Sequence, residues 1–297
     1  MKNILITGGS GLVGQRLTKA LEEKGYHVAW LSRTPEKQTQ KSFGWDIRKQ
    51  EIDLNSLEWA DAIIHLAGAD VAEKRWSPTR KRLILESRTL SAQLIFDQLR
   101  TVENRPEVMV SASGANYYGL DNGDRWLTEE DPPGNDFLSE VVIKWERSVN
   151  QFNSLGIRTV ALRTGVVLAK GGGALAKMLQ PPVAAPLGSG NQFMSWIHIQ
   201  DLVDMFIHAL EHKNLKGSYN AVSPIPVSNK ELTQKAAKYS RKPFVSLQVP
   251  GFLLKIVLGE MAGMILGGNK VSADKIISSG YKFKFTEIDH ALKDLYS

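Results

Sequence analysis

The sequence predicts an α/β protein with a doubly wound parallel sheet of the Rossmann type and a smaller, mainly helical C-terminal region. Short β-branched segments alternate with longer helical patterns in the first half of the 297 residues, as a parallel sheet with crossover helices requires. A glycine-rich segment directly follows the first of these strands. After Pro224 the pattern becomes mainly helical, which places the smaller region in the second half.

Most of the predicted strands end in Gly, Ser or Thr, at the edge where an open α/β sheet binds its ligands. The strands are Ile4–Ile6, His27–Leu31, Ala62–Leu66, Val108–Ser111 and Thr159–Leu162. Ser77 and Pro78 form a good helix start, which leads into a predicted helix over Thr79–Leu99. Ser228, with Glu231 three residues later, has the form of a capping box.

A Gly/Pro-rich segment at 171–190 interrupts the alternation and suggests two regions. We expect residues 1–168, together with about 196–224, to form the cofactor-binding core. Residues 169–195 and 225–297 are expected to form the smaller region that covers the substrate.

Composition excludes several kinds of site and partner. The chain has no cysteine, which excludes disulfides, thiolate catalysis and thiolate metal sites. Phe252–Leu266 is interrupted by Lys255 and Glu260 and is shorter than the roughly 20 apolar residues of a membrane span, so we expect a core or cleft-lining helix. The net charge of +6 comes from scattered residues, which predicts no nucleic-acid partner. The N-terminus lacks a secretory pattern, which favours a cytoplasmic location.

Strand, glycine loop and helix follow one another in the order of a dinucleotide-binding unit. Thr7 ends the strand, residues 9–14 read GxGxxG, and a helix is predicted from Gln15 to Lys24. The first glycine permits a tight turn, the second a close approach of the pyrophosphate, and the third close helix packing. The cofactor is therefore expected to contact Gly8, Gly9, Ser10, Gly11, Leu12, Val13 and Gly14.

The end of the second strand favours NADP over NAD. NAD-binding units usually carry Asp or Glu there to accept the ribose 2′-hydroxyl, whereas this chain has Ser32 and Arg33. A guanidinium suits a 2′-phosphate, and the serine hydroxyl can donate a further hydrogen bond. The alternative is that Arg33 is an ordinary solvated surface arginine.

Several motifs resemble the extended short-chain dehydrogenase/reductase superfamily over essentially the whole chain. They are TGGSGLVG at 7–14, HLAGA at 65–69, SASGANYYG at 111–119, LRTGVVLAKGGGAL at 162–175, SWIHIQDLV at 195–203 and a C-terminal extension at 249–292. The pattern is most similar to the atypical "epimerase family protein" branch, also labelled nucleoside-diphosphate-sugar epimerase-like or SulA-like. The resemblance implies these further cofactor contacts: Leu66, Ala67 and Gly68 on the adenine and ribose side, Asp46 beside the adenine, Arg88, and Val166 near the nicotinamide.

The superfamily's catalytic signature is missing from this chain. Hydride chemistry in that superfamily uses a Tyr and, four residues later, a Lys that lowers the Tyr pKa. When the helix is aligned on Glu146, these positions fall on Leu138 and Val142, which cannot transfer protons. Lys144 and Tyr118, or its neighbour Tyr117, are weak candidates; the alternative is a solvated lysine and two tyrosines packed at a turn.

The superfamily's substrate-binding serine position falls on Gly114 when the motif is aligned on Tyr118 and Gly119. Ser113, one residue earlier, is a weak candidate to replace it. Trp76, Phe193 and Trp196, with Tyr118, are expected on the substrate side, where they would suit a planar or apolar molecule.

Two histidine patterns carry weaker signals. His208–His212 matches HxxEH, but the segment ends a helix before a lysine-containing turn, so we predict no metal site. His198 and Asp201, one turn apart, are either an acid/base pair or a structural pair with a helix first-turn carboxylate, and the structural role is favoured.

Three functions remain open from the sequence. The first is an NADP(H)-dependent oxidoreductase or epimerase-like enzyme that acts on an unidentified small molecule. The second is a non-catalytic NADP-binding sensor or interaction module, which the missing Tyr/Lys pair favours. The third is a nucleotide-sugar epimerase. The sequence leaves the oligomeric state open.

Overall fold

A central sheet of eight strands organises the chain, and the computed structural model describes all of residues 1–297. The strands are β1 (Asn3–Thr7), β2 (His27–Ser32), β3 (Ser42–Asp46), β4 (Glu51–Ile52), β5 (Ala62–His65), β6 (Val108–Gly114), β7 (Trp126–Leu127), β8 (Arg158–Thr164), β9 (Val166–Ala169), β10 (Phe193–Met194), β11 (Trp196–His198), β12 (Gly217–Ala221), β13 (Val227–Ser228) and β14 (Lys270–Val271). The helices are α1 (Leu12–Glu23), α2 (Leu54–Trp59), α3 (Pro78–Leu99), α4 (Phe137–Asn150), α5 (Gly173–Met178), α6 (Ile199–Glu211), α7 (Asn229–Tyr239), α8 (Gly251–Leu258), α9 (Ala262–Leu266), α10 (Asp274–Ser278) and α11 (Ile288–Tyr296).

The strand order in the large sheet is β12-β8-β6-β5-β1-β2-β3-β4. All neighbours are parallel except β4, which pairs antiparallel with β3. The chain runs from β1 outward to β4 and then returns to the other side of β1 at β5, so the topology reverses between β1 and β5. This confirms the predicted doubly wound fold and places its ligand-binding crevice at the carboxyl ends of these two strands.

Alternate side chains of β1 point to opposite faces of the sheet and are buried in a core on each face. Ile4 and Ile6 lie in a core cluster that also contains Leu17 of α1 and Phe206 of α6. Leu5 points to the other face, into a cluster with residues of α3 and α4. A strand buried on both faces reads as a continuous apolar run, which explains why this segment was predictable.

Both predicted helix caps are present. Ser77 Oγ accepts a hydrogen bond from the Arg80 amide at 3.1 Å, and Ser228 Oγ accepts one from the Glu231 amide at 3.1 Å. The first helix differs from the prediction, because it begins at Leu12 rather than Gln15. Its N-cap is Gly11, so the first-turn amides of α1 belong to the glycine loop itself.

A third apolar cluster lies on the C-terminal side and includes Leu175 of α5, Trp196 of β11 and Leu292 of α11. The buried Asp201 carboxylate fastens this end of the chain, since it accepts the amides of Lys284 at 2.8 Å and Phe285 at 3.0 Å. The cluster joins residues from both predicted regions. The division at 168, 196 and 224 therefore stays a prediction.

Of the two alternatives predicted for Phe252–Leu266, the core helix is wrong for the first half, and the cleft-lining helix stays a prediction. No residue of α8 is buried, and the exposed fractions are 63% for Phe252, 66% for Ile256 and 69% for Val257. The apolar composition of this segment therefore does not reflect burial. None of the helices in the structure combines the length and the apolar character needed to cross a bilayer.

Substitution of a core phenylalanine is expected to be far more costly than substitution in α8. Phe206 is only 1% exposed, so Phe206→Ala should lower the free energy of unfolding by about 3 to 5 kcal/mol. Ile256→Ala, at a position 66% exposed, should change it by less than about 0.5 kcal/mol. Urea unfolding followed by circular dichroism measures both. Equal losses would mean that α8 is packed in solution.

Candidate functional site

The glycine loop packs tightly against neighbouring residues and against its own backbone. Gly8 adopts a left-handed conformation with φ of 70°, which a side chain would strain. A Cβ on Gly9 would overlap the indole ring of Trp30, and one on Gly14 would lie 2.5 Å from the Gly9 carbonyl oxygen. The tight turn predicted for Gly9 is thus made at Gly8, while Gly14 provides the predicted close helix packing.

Gly11 is less enclosed than the other loop glycines. A Cβ there would meet only the Gly8 carbonyl oxygen, at 3.2 Å. Gly11 is also exposed and is the N-cap of α1, whose first-turn amides have no partner within the helix. Open backbone at a helix N-terminus is the arrangement that binds a pyrophosphate.

The turn after β5 is tied to β1 through Thr7. Thr7 Oγ1 accepts the amides of Leu66 at 3.1 Å and Ala67 at 3.0 Å, and it lies 2.8 Å from His65 Nδ1. Because the hydroxyl oxygen already accepts two hydrogen bonds, we infer that its proton goes to His65 Nδ1. His65 is therefore neutral, with its proton on Nε2, which faces Ser91 Oγ at 3.3 Å.

Burial keeps His65 in that neutral state. The side chain is fully buried, and its desolvation, with a smaller repulsion from Arg88, lowers the pKa of His65 to about 4. The network positions Leu66 and Ala67 beside the glycine loop. These are two of the residues that the resemblance assigns to the adenine and ribose side.

Arg88 lies directly against the same turn. Its Nη1 donates to the carbonyl oxygens of Ile84 at 2.8 Å and Ala69 at 3.1 Å, and a Cβ on Gly68 would lie 2.9 Å from its Cζ. Burial lowers the pKa of Arg88 to about 10, partly offset by Asp70, so the guanidinium remains charged at neutral pH. The structure thus brings Arg88 together with Gly68, at the sheet edge that contains the glycine loop.

Ser32, Arg33 and Asp46 lie at the same edge, because β2 and β3 are parallel and Ser32 pairs with Gly44. Ser32 Oγ accepts the amide of Thr34 at 3.1 Å, which leaves its proton free to be donated. Arg33 is exposed. Asp46 accepts the amides of Arg48 at 2.9 Å and Lys49 at 3.2 Å.

A polar pocket of about 450 Å³ lies between α1 and the segment after β2, and its lining includes Ser10 of the glycine loop. The charged residues of the lining are Lys19, Glu22 and Lys37. Lys37 lies in the segment that follows Ser32, the last residue of β2. Val166, predicted near the nicotinamide, begins β9 and pairs with Trp196.

Ser113, a weak catalytic candidate, is part of a buried ion-pair network. Its Oγ donates to Glu146 Oε1 at 2.7 Å. Arg163 binds the same carboxylate through two contacts, Nε to Oε1 at 2.8 Å and Nη2 to Oε2 at 2.9 Å, while Ser218 donates to Oε2 at 3.0 Å. Burial alone would lower the pKa of Arg163, but the hydrogen bonds to Glu146 raise it instead.

Tyr118 and Lys144, the other weak candidates, also have structural partners. The Tyr118 hydroxyl donates to Asn220 Oδ1 at 2.7 Å and accepts from Arg163 Nη1 at 3.1 Å. Burial raises the pKa of Tyr118 to about 12, which makes it a poor proton donor. Lys144 is half-exposed on α4 and pairs with Glu140 at 2.6 Å. These contacts match the alternative of a packed tyrosine and a solvated lysine.

The positions that would carry the Tyr/Lys pair are apolar and buried. Leu138 is 3% exposed and Val142 is 5% exposed. A Cβ on Gly114, the usual serine position, would lie 3.4 Å from Val142 Cγ2 and 3.7 Å from Asn116 Oδ1. Asn116 was not predicted as a site residue. Its only sequence signal is its place two residues after Gly114.

Two of the four aromatic residues expected on the substrate side lie elsewhere. Trp196 is fully buried and donates through Nε1 to the Ile225 carbonyl oxygen at 2.8 Å, and Tyr118 is 3% exposed. Both are too enclosed to line a cleft. Trp76 and Phe193 are half-buried: the Trp76 ring packs on Phe137 with centroids 5.0 Å apart, and Lys270 Nζ lies 4.1 Å from the centroid of Phe193. Their place on the substrate side stays a prediction.

The residues of the two histidine patterns contact other protein groups, as structural residues do. His198 is 2% exposed and its Nδ1 accepts the Gln200 amide at 3.2 Å, which makes it the N-cap of α6. Burial lowers the pKa of His198 to about 4. Asp201 holds the C-terminal segment through the amides of Lys284 and Phe285. The geometry therefore agrees with the structural role that the sequence favoured for His198 and Asp201. His208 and His212 stack with ring centroids 3.8 Å apart, at the end of α6.

Sequence comparison identifies the family. A model of the NAD dependent epimerase/dehydratase family matches residues 4–222. The chain belongs to this family. A model of a domain of unknown function, DUF1731, matches residues 249–295, which is most of the predicted C-terminal extension. The resemblance to the epimerase family branch is thereby confirmed.

Two staphylococcal relatives match over 99% of both chains. An epimerase family protein of Staphylococcus haemolyticus is 34% identical over 298 residues. One of Staphylococcus epidermidis is 35% identical over 306 residues. These family members are similar over their whole length, including the C-terminal extension.

Two solved structures are 31% identical to this family member. Human epimerase family protein SDR39U1, isoform 2, with NADPH has a TM-score of 0.86 and 99% coverage of both chains. A nucleoside-diphosphate sugar epimerase from Corynebacterium glutamicum has a TM-score of 0.81, covering 99% of this chain and 58% of the other. UDP-glucuronic acid 4-epimerase from Bacillus cereus, at 18% identity and a TM-score of 0.78, shares the fold.

Stability is expected to fall as the pH drops from about 6.5 to about 4. The folded pKa values of His65 and His198 are both about 4, below the usual 6.5, so in this window the unfolded chain binds protons that the folded chain excludes. Each histidine adds a slope of up to about 1.4 kcal/mol per pH unit. His65→Asn should lower the slope by up to about 1.4 kcal/mol per pH unit, as urea unfolding at pH 7, 6, 5 and 4.5 can measure. An unchanged slope would mean that His65 is not held neutral.

Proposed function

We propose that this chain binds NADP(H) across the carboxyl ends of β1, β2 and β5 as an NADP(H)-dependent oxidoreductase or epimerase-like enzyme. The observation that carries the proposal is the end of β2, where Ser32 and Arg33 replace a carboxylate beside an open glycine loop. A relative with 31% identity over 99% of the chain was crystallised with NADPH, which supports the same cofactor here.

The residues at the sheet edge fit the parts of this cofactor. Gly11 and the first-turn amides of α1 would hold the pyrophosphate, because no side chain blocks the approach. Arg33 would pair with the 2′-phosphate, and Ser32 would donate its free hydroxyl proton. Lys37, in the adjoining pocket, adds a second positive charge. An NAD ribose would offer this cluster no anion.

When bound, NADP(H) supplies or accepts the hydride at the nicotinamide. The chain's own contribution is binding and orientation, through the glycine loop and the turn after β5. Leu138 and Val142, at the positions where the superfamily has its phenol and amine, are apolar and buried and can move no proton. The proposal therefore describes an oxidoreductase without the family's phenol and amine.

A second candidate function, a non-catalytic NADP-binding sensor, is favoured by one observation. The hydroxyls of Ser113 and Tyr118 donate to other protein groups, and Lys144 pairs with Glu140 at the surface. Nucleotide-sugar epimerisation, the third candidate, draws support from the relative named as a nucleoside-diphosphate sugar epimerase at 31% identity. It needs the same proton transfers that these residues do not offer.

The proposal includes a cytoplasmic location and a small-molecule partner. Support comes from the scattered distribution of the basic residues, which gives no continuous surface for nucleic acid. The polar pocket beside the glycine loop has the size of a small-molecule subsite.

Replacement of Arg33 is expected to abolish the preference for NADPH. In the unaltered protein NADPH should bind at least about tenfold more tightly than NADH. Arg33→Ala should weaken NADPH binding by about ten- to a hundredfold, since it removes charged hydrogen bonds worth about 1.5 to 3 kcal/mol, and should leave NADH binding unchanged. Isothermal titration calorimetry measures both affinities, and thermal shifts report them independently.

Lys213→Ala is the matched control for this experiment. It removes one exposed positive charge that pairs with Glu107 directly before β6, at the amino ends of the strands and away from the glycine loop and the pocket. NADPH affinity in this variant should stay within about twofold, because an exposed charge at the opposite edge of the sheet is largely screened. Equal affinities for NADPH and NADH in the unaltered protein, unchanged by Arg33→Ala, would refute the NADP assignment.

A turnover measurement distinguishes the proposed enzyme from the non-catalytic sensor. The protein with NADPH should oxidise it in the presence of at least one member of a panel of quinones, α-dicarbonyls and nucleotide sugars, followed at the nicotinamide absorbance. Tight NADPH binding with no oxidation across the panel would favour the sensor. Interconversion of a nucleotide sugar without net oxidation would favour the epimerase.

A further inference from the structure

Lys177 of α5 forms an ion pair with Asp70, in the segment that follows β5. Its Nζ lies 2.9 Å from Asp70 Oδ2 and donates to the Ala72 carbonyl oxygen at 2.9 Å. Asp70 Oδ1 accepts the Ala72 amide at 2.8 Å, so the carboxylate binds its own turn as well as the lysine. Burial would raise the pKa of Asp70, but the Ala72 amide, Lys177 and Arg80 lower it, so the pair is ionised at neutral pH.

The segment that contains Asp70 is fixed to α3 and continues the turn after β5. The Ala69 amide donates to Ser87 Oγ at 2.9 Å. Arg80 donates to the Asp70 carbonyl oxygen. The turn itself is tied to β1, because Thr7 Oγ1 accepts two of its amides. Asp70 is therefore held on the β5 side of the crevice.

Helix α5 lies against the glycine loop on the other side of the crevice. A Cβ on Gly172 would lie 3.2 Å from Leu12 Cδ2, and one on Gly173 would lie 3.7 Å from the same atom. Leu175 is fully buried in the third apolar cluster, which anchors α5. The helix therefore begins beside Leu12, the first residue of α1, and Lys177 near its end reaches the segment after β5.

These contacts form a closed ring at the carboxyl ends of β1 and β5. Thr7 joins the two strands at the base of the ring, and the Asp70–Lys177 bridge closes the ring on the opposite side. The glycine loop with Leu12 forms one flank, and the turn after β5 forms the other. A dinucleotide bound between that loop and that turn would therefore be enclosed by the bridge.

The bridge can open at little cost. The side chains of Lys177 and Asp70 are 46% and 55% exposed, and exposed ion pairs contribute little to stability. Opening needs only rotation of the flexible lysine side chain, because the buried Leu175 keeps α5 in place. The bridge is thus a reversible contact rather than a permanent part of the core.

We propose that the Asp70–Lys177 bridge gates exchange of the dinucleotide, closing over the bound cofactor and opening for its entry and release; this rests on the proposed NADP(H) function. Entry and release require the same contact to break, so the bridge slows both steps by the same factor. An oxidoreductase exchanges its dinucleotide in every turnover, whereas an epimerase returns the hydride to its substrate and keeps the cofactor. The bridge therefore limits the first kind of reaction and not the second.

Two variants break the bridge with opposite changes of net charge. Lys177→Met keeps the aliphatic side chain and removes a positive charge. Asp70→Asn keeps an acceptor for the Ala72 amide and removes a negative charge. Stopped-flow fluorescence of NADPH gives the association rate constant, and displacement of bound NADPH by excess NADP⁺ gives the dissociation rate constant.

Both rate constants should rise in both variants. The rise should be about threefold in Asp70→Asn, which loses the ion pair, and about tenfold in Lys177→Met, which also loses the hydrogen bond to the Ala72 carbonyl oxygen. The dissociation constant for NADPH should stay within about twofold, because it is the ratio of two rate constants that change together. Higher ionic strength should narrow the difference from the unaltered protein, since salt screens an exposed pair.

A direct contact between Lys177 and a cofactor phosphate predicts a different result. Lys177→Met would then raise only the dissociation rate constant and weaken binding, whereas Asp70→Asn would free the lysine and tighten binding. Either that pattern or unchanged rate constants in both variants would overturn the gate. Lys213→Met, which removes the cation of the exposed pair with Glu107, is the matched control and should leave both rate constants within about 1.5-fold.

The double variant tests whether the two residues act through one bridge. Asp70→Asn combined with Lys177→Met should exchange NADPH no faster than Lys177→Met alone, because the same contact is already lost. Effects that multiply would show two independent roles and contradict the proposal. A chain that binds no NADPH would defeat the proposed function and the gate with it, whereas NADPH binding with unchanged exchange rates would overturn the gate alone.

Discussion

The buried pair between Glu146 and Arg163 determines what the reaction side of this molecule can do. The pair joins α4 to β8, and hydrogen bonds extend it to Ser113 on β6 and Ser218 on β12. A buried guanidinium and carboxylate are tolerated only when their polar atoms are satisfied, so these groups cannot be released cheaply for catalysis. Tyr118 is held by the same arginine. The polar residues that look catalytic in the sequence therefore maintain the sheet edge.

The part of the site formed by the glycine loop and the turn after β5 depends on a different constraint. There, backbone segments must approach one another closely. Gly9 packs under Trp30, Gly14 packs against the loop, and Thr7 holds the turn after β5 through two amides. Gly11 is exposed and is the least enclosed of the loop glycines, which suits the approach of a ligand. Binding of a dinucleotide needs backbone amides in this geometry, which residue types without side chains provide.

Local signals made much of the fold predictable from the sequence. The predicted strands are present because segments buried on both faces are continuously apolar, and the caps at Ser77 and Ser228 act within three residues. The apolar composition of α8 led to the wrong prediction of a core helix, because composition alone does not determine whether a segment is buried. The absence of the Tyr/Lys pair could be predicted from helical spacing. The partners of Ser113 and Tyr118 could not be predicted, since Glu146, Arg163 and Asn220 are distant in the sequence and meet only in the fold.

The two halves of the site therefore have different chemical capacities. The cofactor half has a less enclosed glycine at a helix N-terminus, whereas the half that would react has apolar side chains at the positions of the phenol and amine. Under the proposed function, the absence of that pair would not by itself remove hydride transfer, because the cofactor carries the hydride and the protein lowers the cost of charge on oxygen. The absence of that pair would therefore act on which substrates react as well as on the rate.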